Sequence, residues 1–157
     1  MTAQIRAKPL IASIALAMGG GFLSNRLSGD VKGIYQTLNL PWFAPPDWVF
    51  AVVWPVLYLL IAAAYYLVME SPKGEARTQA MTFYLVQLFL NFLWSPLFFR
   101  WGAYAWAFRL LCTIFLLALA TIICFALLDR RTLWLMTPYL VWLVFAMLLN
   151  KSIAVLN

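Results

Sequence analysis

The chain has 157 residues, of which 66% are hydrophobic, 17% aromatic and only 10% charged, with a mean hydropathy of +0.89. A soluble domain carries roughly 25% charged and 45–50% apolar residues, so a soluble enzyme, a disordered tail and a disulfide-stapled secreted miniprotein are excluded. The net charge is +6, but Lys and Arg sit at the ends of apolar runs, where long side chains snorkel to headgroups; that is a membrane pattern and not a nucleic-acid one.

A helix needs about 20 apolar residues to cross a hydrocarbon core of ~30 Å. Five charge-free runs approach or meet that length: 9–25, 48–69, 78–99, 110–128 and 132–150. Backbone groups cannot stay unpaired in lipid, and these runs are too long and continuous for barrel strands. The expected fold is an all-α integral membrane protein, a bundle of five transmembrane helices. The helices are placed at about 8–27, 47–69, 78–99, 104–128 and 132–155 in one domain spanning 1–157, with the loop 28–46 as a lid.

The first run follows Arg6 and Lys8 and holds Gly20 and Gly21. Glycines of that kind let neighbouring helices approach closely. Its outline, with Ala15-Leu16-Ala17 inside, also resembles a signal peptide. The charge-free stretch continues past that point, which favours a span. The loop ends Asn39-Leu-Pro-Trp-Phe-Ala-Pro-Pro-Asp-Trp48. Its three prolines stiffen the chain, and Asp47 suits the positive end of a helix. A stiff aromatic segment there reads either as a lid or as an ordinary connector.

On the second span Trp54 and Tyr58 are four apart and share a face. The third places Asn91, Trp94 and Phe98 on one stripe, and the fifth does the same with Trp142, Ala146 and Leu149. Such stripes serve core packing or line a cavity. Asn91 favours the cavity, because an unpartnered amide in lipid is costly, yet it could equally bond a neighbouring helix. Pro55, Pro96 and Pro138 each remove one helical hydrogen bond and free a carbonyl one turn earlier. On the fourth span Arg109 either reaches the interface or meets an anionic ligand group. Cys112 and Cys124 are ~18 Å apart along a helix, too far for a disulfide. With no histidine and only five acidic residues, neither a metal site nor a paired-carboxylate mechanism is expected. The Lys and Arg of the two sides balance too closely to fix the orientation.

Three motifs carry a resemblance. Leu40-Pro-Trp-Phe-Ala-Pro-Pro-Asp-Trp-Val-Phe50 with Val53-Trp54 and Leu57-Tyr58 comes first. Gln87-Leu-Phe-Leu-Asn91 with Trp94 and Phe98-Phe99 is second, and Pro138-Tyr-Leu-Val-Trp142 with Phe145-Ala146 and Leu149-Asn150 is third. In this order and spacing the chain resembles the TspO/MBR family, the tryptophan-rich sensory and translocator proteins. It departs at Ile34, where a tryptophan is usual, and at Leu40, where a lysine is usual. After Leu149 it lacks the tyrosine of the animal cholesterol motif, so a sterol is not expected there.

The resemblance implies a membrane receptor or sensor for tetrapyrroles, chiefly protoporphyrin IX, with no required cofactor. It also implies drug-like isoquinoline or benzodiazepine ligands, contact with membrane lipid, a homodimer and residence in a bacterial cell membrane. The ligand would lie between helices beneath the first loop, against Trp42, Trp54, Tyr58, Asn91, Trp94, Trp142 and Ala146. Phe50, Phe98 and Leu149 are further expected lining residues. Trp54 and Trp142 match tryptophans implicated in light-dependent porphyrin breakdown, which makes a porphyrin-degrading enzyme the alternative, with those two as its catalytic candidates. A lipid or porphyrin transporter is the third reading, although no intramembrane carboxylate offers ion coupling.

Overall fold

The computed structural model describes residues 6–157. Five helices in it are long and apolar enough to cross a membrane. They are α1 (Ala7–Leu27), α3 (Asp47–Met69), α4 (Glu75–Ser95, continued by a π-helical turn Pro96–Arg100), α5 (Tyr104–Leu128) and α6 (Arg131–Leu156). A sixth, short helix α2 (Val31–Thr37) lies in the first loop. The protein is therefore an all-α, multi-pass membrane bundle.

Around the bundle the order is α1, α3, α6, α5, α4 and back to α1, and α3 touches all four others. In the middle, the almost wholly buried aliphatic side chains of Ile61, Leu88, Leu111, Ile114 and Leu143 pack with the buried rings of Tyr84, Phe125 and Tyr139. The outer member is α1. Its buried residues are Ser13, Ala17 and Ser24, a stripe of small side chains at helical spacing that allows close approach. Gly20 and Gly21 continue that stripe against the rings of Phe92 and Tyr58, and a β-carbon at either glycine would collide with its ring.

The three intrahelical prolines act differently. Pro55 and Pro138 remain inside α3 and α6. Pro96 opens the π-helical turn, closed by Trp101 N–H donating to the Pro96 carbonyl at 3.2 Å. Without an N–H, Pro96 cannot bond the Phe92 carbonyl four residues back. The Ser24 hydroxyl of α1 donates to that carbonyl instead, at 2.5 Å.

The segment 28–46, expected as a loop, contains α2. Asp30 caps it, accepting from Gly33 N–H at 3.0 Å. A capped turn was hard to foresee because Val-Lys-Gly-Ile-Tyr-Gln-Thr is short and holds a glycine, both adverse to an isolated helix; tertiary contacts hold it. Tyr35 is buried, its hydroxyl donating to the Pro45 carbonyl at 2.8 Å. Gln36 Nε2 donates to Asp47 Oδ2 at 3.0 Å. The amide of Asn157 clasps the backbone of Asn39: its Oδ1 accepts from Asn39 N–H at 3.0 Å and its Nδ2 donates to Asn39 C=O at 3.1 Å. The segment is thus braced within itself by Tyr35 and tied at two places, Asp47 and Asn157, to the α3 and α6 ends of the bundle.

Candidate ligand site

Three spans each send an indole inward, Trp54 from α3, Trp94 from α4 and Trp142 from α6. The Trp54 ring lies 6.4 Å from Trp94 and 6.5 Å from Trp142, centroid to centroid. Phe50 meets Trp142 edge-on at 5.9 Å, and Phe98 stacks on Trp94 at 5.2 Å. The wall these rings build divides the space within the bundle into two hollows.

The larger hollow, about 390 Å³, lies between α1, α3 and α4. That volume is at the low end of the ~300–1,000 Å³ of small-molecule sites. Tyr58 and Asn91 lie among its most buried lining residues, whereas its rim carries the exposed Phe22, Asn25 and Ala51. Phe22 and Ala51 belong to spanning helices, so the mouth opens on the outer face of the bundle, between α1 and α3. The smaller hollow, about 20 Å³, lies toward α6 and is lined also by Tyr35 of the first loop. It has room for about one water.

The expected site residues fall into three groups. Phe50, Trp54 and Trp94 line both hollows. Tyr58 and Asn91 line only the larger one, and Phe98, Trp142, Ala146 and Leu149 only the smaller one. Trp42 is not brought to either: it is 96% exposed, its ring meeting Phe43 at 5.7 Å. The lid residue that does reach the rings is Tyr35, edge-on to Phe50 at 5.2 Å. Burial, with the Asp47 charge second, pushes its hydroxyl pKa up to about 12. Arg109 is turned to the outside, its guanidinium 4.6 Å over the Trp106 ring.

Several wall residues escaped the sequence reading. Ser24 and Asn25 of α1 belong to the larger hollow, and Phe99 of the π-helical turn lines both. The one usable signal was the glycine pair, which marked α1 as a close neighbour without saying which hollow it would border.

The polar groups beneath the wall are chained. Tyr58 O–H donates to Asn91 Oδ1 at 2.8 Å, Asn91 Nδ2 to the Tyr139 hydroxyl at 3.1 Å, and Tyr139 O–H to Gln87 Oε1 at 2.7 Å. Asn91 therefore bonds neighbouring helices at both ends of its amide. Trp94 Nε1 donates to Asn150 Oδ1 at 3.1 Å. The Trp142 indole N–H, by contrast, is buried with no acceptor among the described residues. Left unmade inside a protein, such a bond costs about 1–3 kcal/mol. Chemically the arrangement offers aromatic faces beside a few polar atoms. The described residues hold no group of His, Cys, Asp or Glu able to bind a metal ion.

Comparison with known proteins agrees on one family. The model of the TspO/MBR family matches residues 13–156. The tryptophan-rich sensory protein of Cereibacter sphaeroides is 38% identical over 78% of this chain and 76% of its own length. The tryptophan-rich protein TspO of Archaeoglobus fulgidus is 33% identical, covering 94% of this chain and 96% of its own. The translocator protein of Ovis aries is 32% identical over 90% of this chain and 86% of its own length.

Proposed function

This chain belongs to the TspO/MBR family, and on that premise we propose that it is a membrane receptor that senses a tetrapyrrole, with protoporphyrin IX as the reference ligand. The observation that carries the reading is the convergence of Trp54, Trp94 and Trp142, from three spans, on one wall with empty space beside it. Aromatic walls with few polar anchors suit a flat, largely apolar ring system.

A macrocycle of four pyrroles exceeds the larger hollow taken alone. It needs the two hollows joined, and they are separated by side chains, not backbone: Phe50, Trp54 and Trp94 are common to both linings. Rotation of Trp54 and Trp94 would unite them and bring the unpartnered Trp142 N–H to the ring or to a propionate. Binding is then limited by rearrangement of the indoles, and association is slower than the lipid-phase encounter rate.

Titration of the purified protein with protoporphyrin IX tests this. Saturable quenching of tryptophan fluorescence is expected, weakened at least tenfold in a Trp142→Ala, Asn91→Ala double variant that still folds. Absence of saturation, or equal quenching in the variant, would overturn it.

A further inference from the structure

We propose that the first loop is docked in the interfacial layer of the membrane, with the indole of Trp42 as its anchor and the glycerol and headgroup region of the phospholipids as its partner. This docking is independent of any ligand. It gives a role to the loop residue that reaches neither hollow.

Contacts across the bundle fix the heights. Tyr58 of α3, Asn91 of α4 and Tyr139 of α6 are joined by hydrogen bonds of 2.8 and 3.1 Å, so they mark one level near the middle of their spans. A helix rises about 1.5 Å per residue. Trp48, ten residues before Tyr58, and Trp101, ten after Asn91, thus stand ~15 Å from that level. Half of a hydrocarbon core is also about 15 Å. The start of α5 lies at the same height, because Asn150, eleven residues after Tyr139, donates to the Tyr104 carbonyl at 2.9 Å. Trp106 follows there with the Arg109 guanidinium over its ring. Trp48, Trp101 and Trp106 are all exposed, and they trace the edge of the hydrocarbon, where tryptophan is enriched.

The loop is drawn down to this edge. Asn39 is clasped to Asn157 at the tip of α6, yet four residues later the Phe43 ring meets Phe145 at 6.4 Å. Phe145 lies about three helical turns below Asn157 and only ~9 Å above the level of Tyr139. The turn Pro41–Ala44, closed by Ala44 N–H donating to the Pro41 carbonyl at 3.0 Å, therefore sits beside α6 at the height of the other exposed indoles. Phe43 packs on the bundle, whereas Trp42 is 96% exposed and Leu40 is exposed beside it. At that height a ring standing clear of the protein meets the interfacial layer, which takes up its apolar body and its N–H donor together. Arg100, Arg109 and Lys151, exposed at the same end, face the same layer and suit lipid phosphates. Trp42 thus holds the loop from outside while Tyr35 braces it from within.

The full chain, labelled with 5-fluorotryptophan and held in phosphatidylcholine nanodiscs, tests the docking. The fluorine resonance of Trp42 is identified by its loss in Trp42→Phe. A nitroxide on the lipid headgroup, or near the top of the acyl chain, should broaden it strongly, and a water-soluble gadolinium chelate weakly. Stronger broadening by the chelate than by the lipid nitroxides places the ring in water and overturns the proposal. Protection from both probes, expected of a ring covered by a second copy of the chain, overturns it as well. The anchoring has its own readout in cleavage of residues 38–46 by a soluble protease, which tracks opening of the segment. Trp42→Ser removes the ring from an exposed position and should raise that cleavage about tenfold in nanodiscs, with Trp42→Phe in between. Equal cleavage of the parent and Trp42→Ser would overturn the assignment of Trp42 as the anchor.

Discussion

Ser24 on α1 and Phe92 on α4 are joined by a hydrogen bond of 2.5 Å, from the serine hydroxyl to the carbonyl that Pro96 leaves without its helical donor. A defect in one helix is thereby repaired by its neighbour, and the repair fixes α1 against α4 at the edge of the larger hollow. Ser28 adds to the join, its hydroxyl donating to the Ser24 carbonyl and lying 2.7 Å from the Ser95 hydroxyl, which can donate to it.

This predicts a specific non-additivity. Ser24→Ala should cost about 1–3 kcal/mol, the range for a buried carbonyl left unpaired. In a Pro96→Ala background, where residue 96 again has an N–H for that carbonyl, the same change should cost clearly less. A double-mutant cycle on reversible unfolding in mixed micelles measures the coupling. Equal costs in the two backgrounds would show that the bond does not compensate for the proline.

The bundle itself was legible because lipid imposes a simple rule: length and apolarity decide a span, and five runs met it. The inward stripes were legible for a similar reason, since Trp54 with Tyr58, and Asn91 with Trp94, repeat at helical spacing and do share walls. Spacing on one helix, however, says nothing of what stands opposite. Whether Trp54, Trp94 and Trp142 enclose one hollow or divide two depends on ring rotamers and on how close α1 comes. Those are tertiary quantities.

Trp42 and Tyr35 show the other gap. A large aromatic in a stiff proline segment invites a role as a lid, yet Trp42 faces outward while Tyr35, seven residues earlier, reaches the Phe50 ring. The direction is set by α2, whose formation depends on Tyr35 burying its ring and finding the Pro45 carbonyl. Local propensity does not reveal such a helix, since the contacts that stabilise it lie outside it.

The three consecutive glycines of α1 make a graded test of close approach. A β-carbon at Gly19 meets nothing within 4 Å, whereas at Gly21 it strikes the Tyr58 ring. Gly19→Ala should be neutral or stabilise by up to about 1 kcal/mol, because alanine loses less backbone freedom in a helix. Gly21→Ala should cost about 1–3 kcal/mol by overpacking, and it should displace Tyr58 from Asn91. Thermal unfolding followed by circular dichroism, with protoporphyrin titration beside it, separates the two. If both substitutions have the same effect on stability and quenching, the contact between Gly21 and Tyr58 does not shape the site.

Tyr35 in the first loop makes a prediction about alkaline pH. The Tyr35 hydroxyl donates to the Pro45 carbonyl at 2.8 Å, and its pKa is pushed up to about 12, first by burial and then by the Asp47 carboxylate. An unlatched tyrosine titrates near 10. The protonated form is thus the one the folded loop prefers. Its contribution is complete below pH ~10 and disappears as the pH rises through about 12, because deprotonation both breaks the donation and places a second negative charge beside Asp47. Lys32 lies 3.9 Å from Asp47, so the comparison must be made against Tyr35→Phe, which keeps that pair. In the difference spectrum between the two proteins, tyrosinate absorbance should rise with a midpoint near 12 and not near 10. Cleavage of residues 38–46 by an alkaline protease should accelerate over the same interval in the parent. In Tyr35→Phe it should already be faster at neutral pH and show no such step. A midpoint near 10, or identical cleavage of the two proteins at neutral pH, would mean that Tyr35 does not hold the first loop in place.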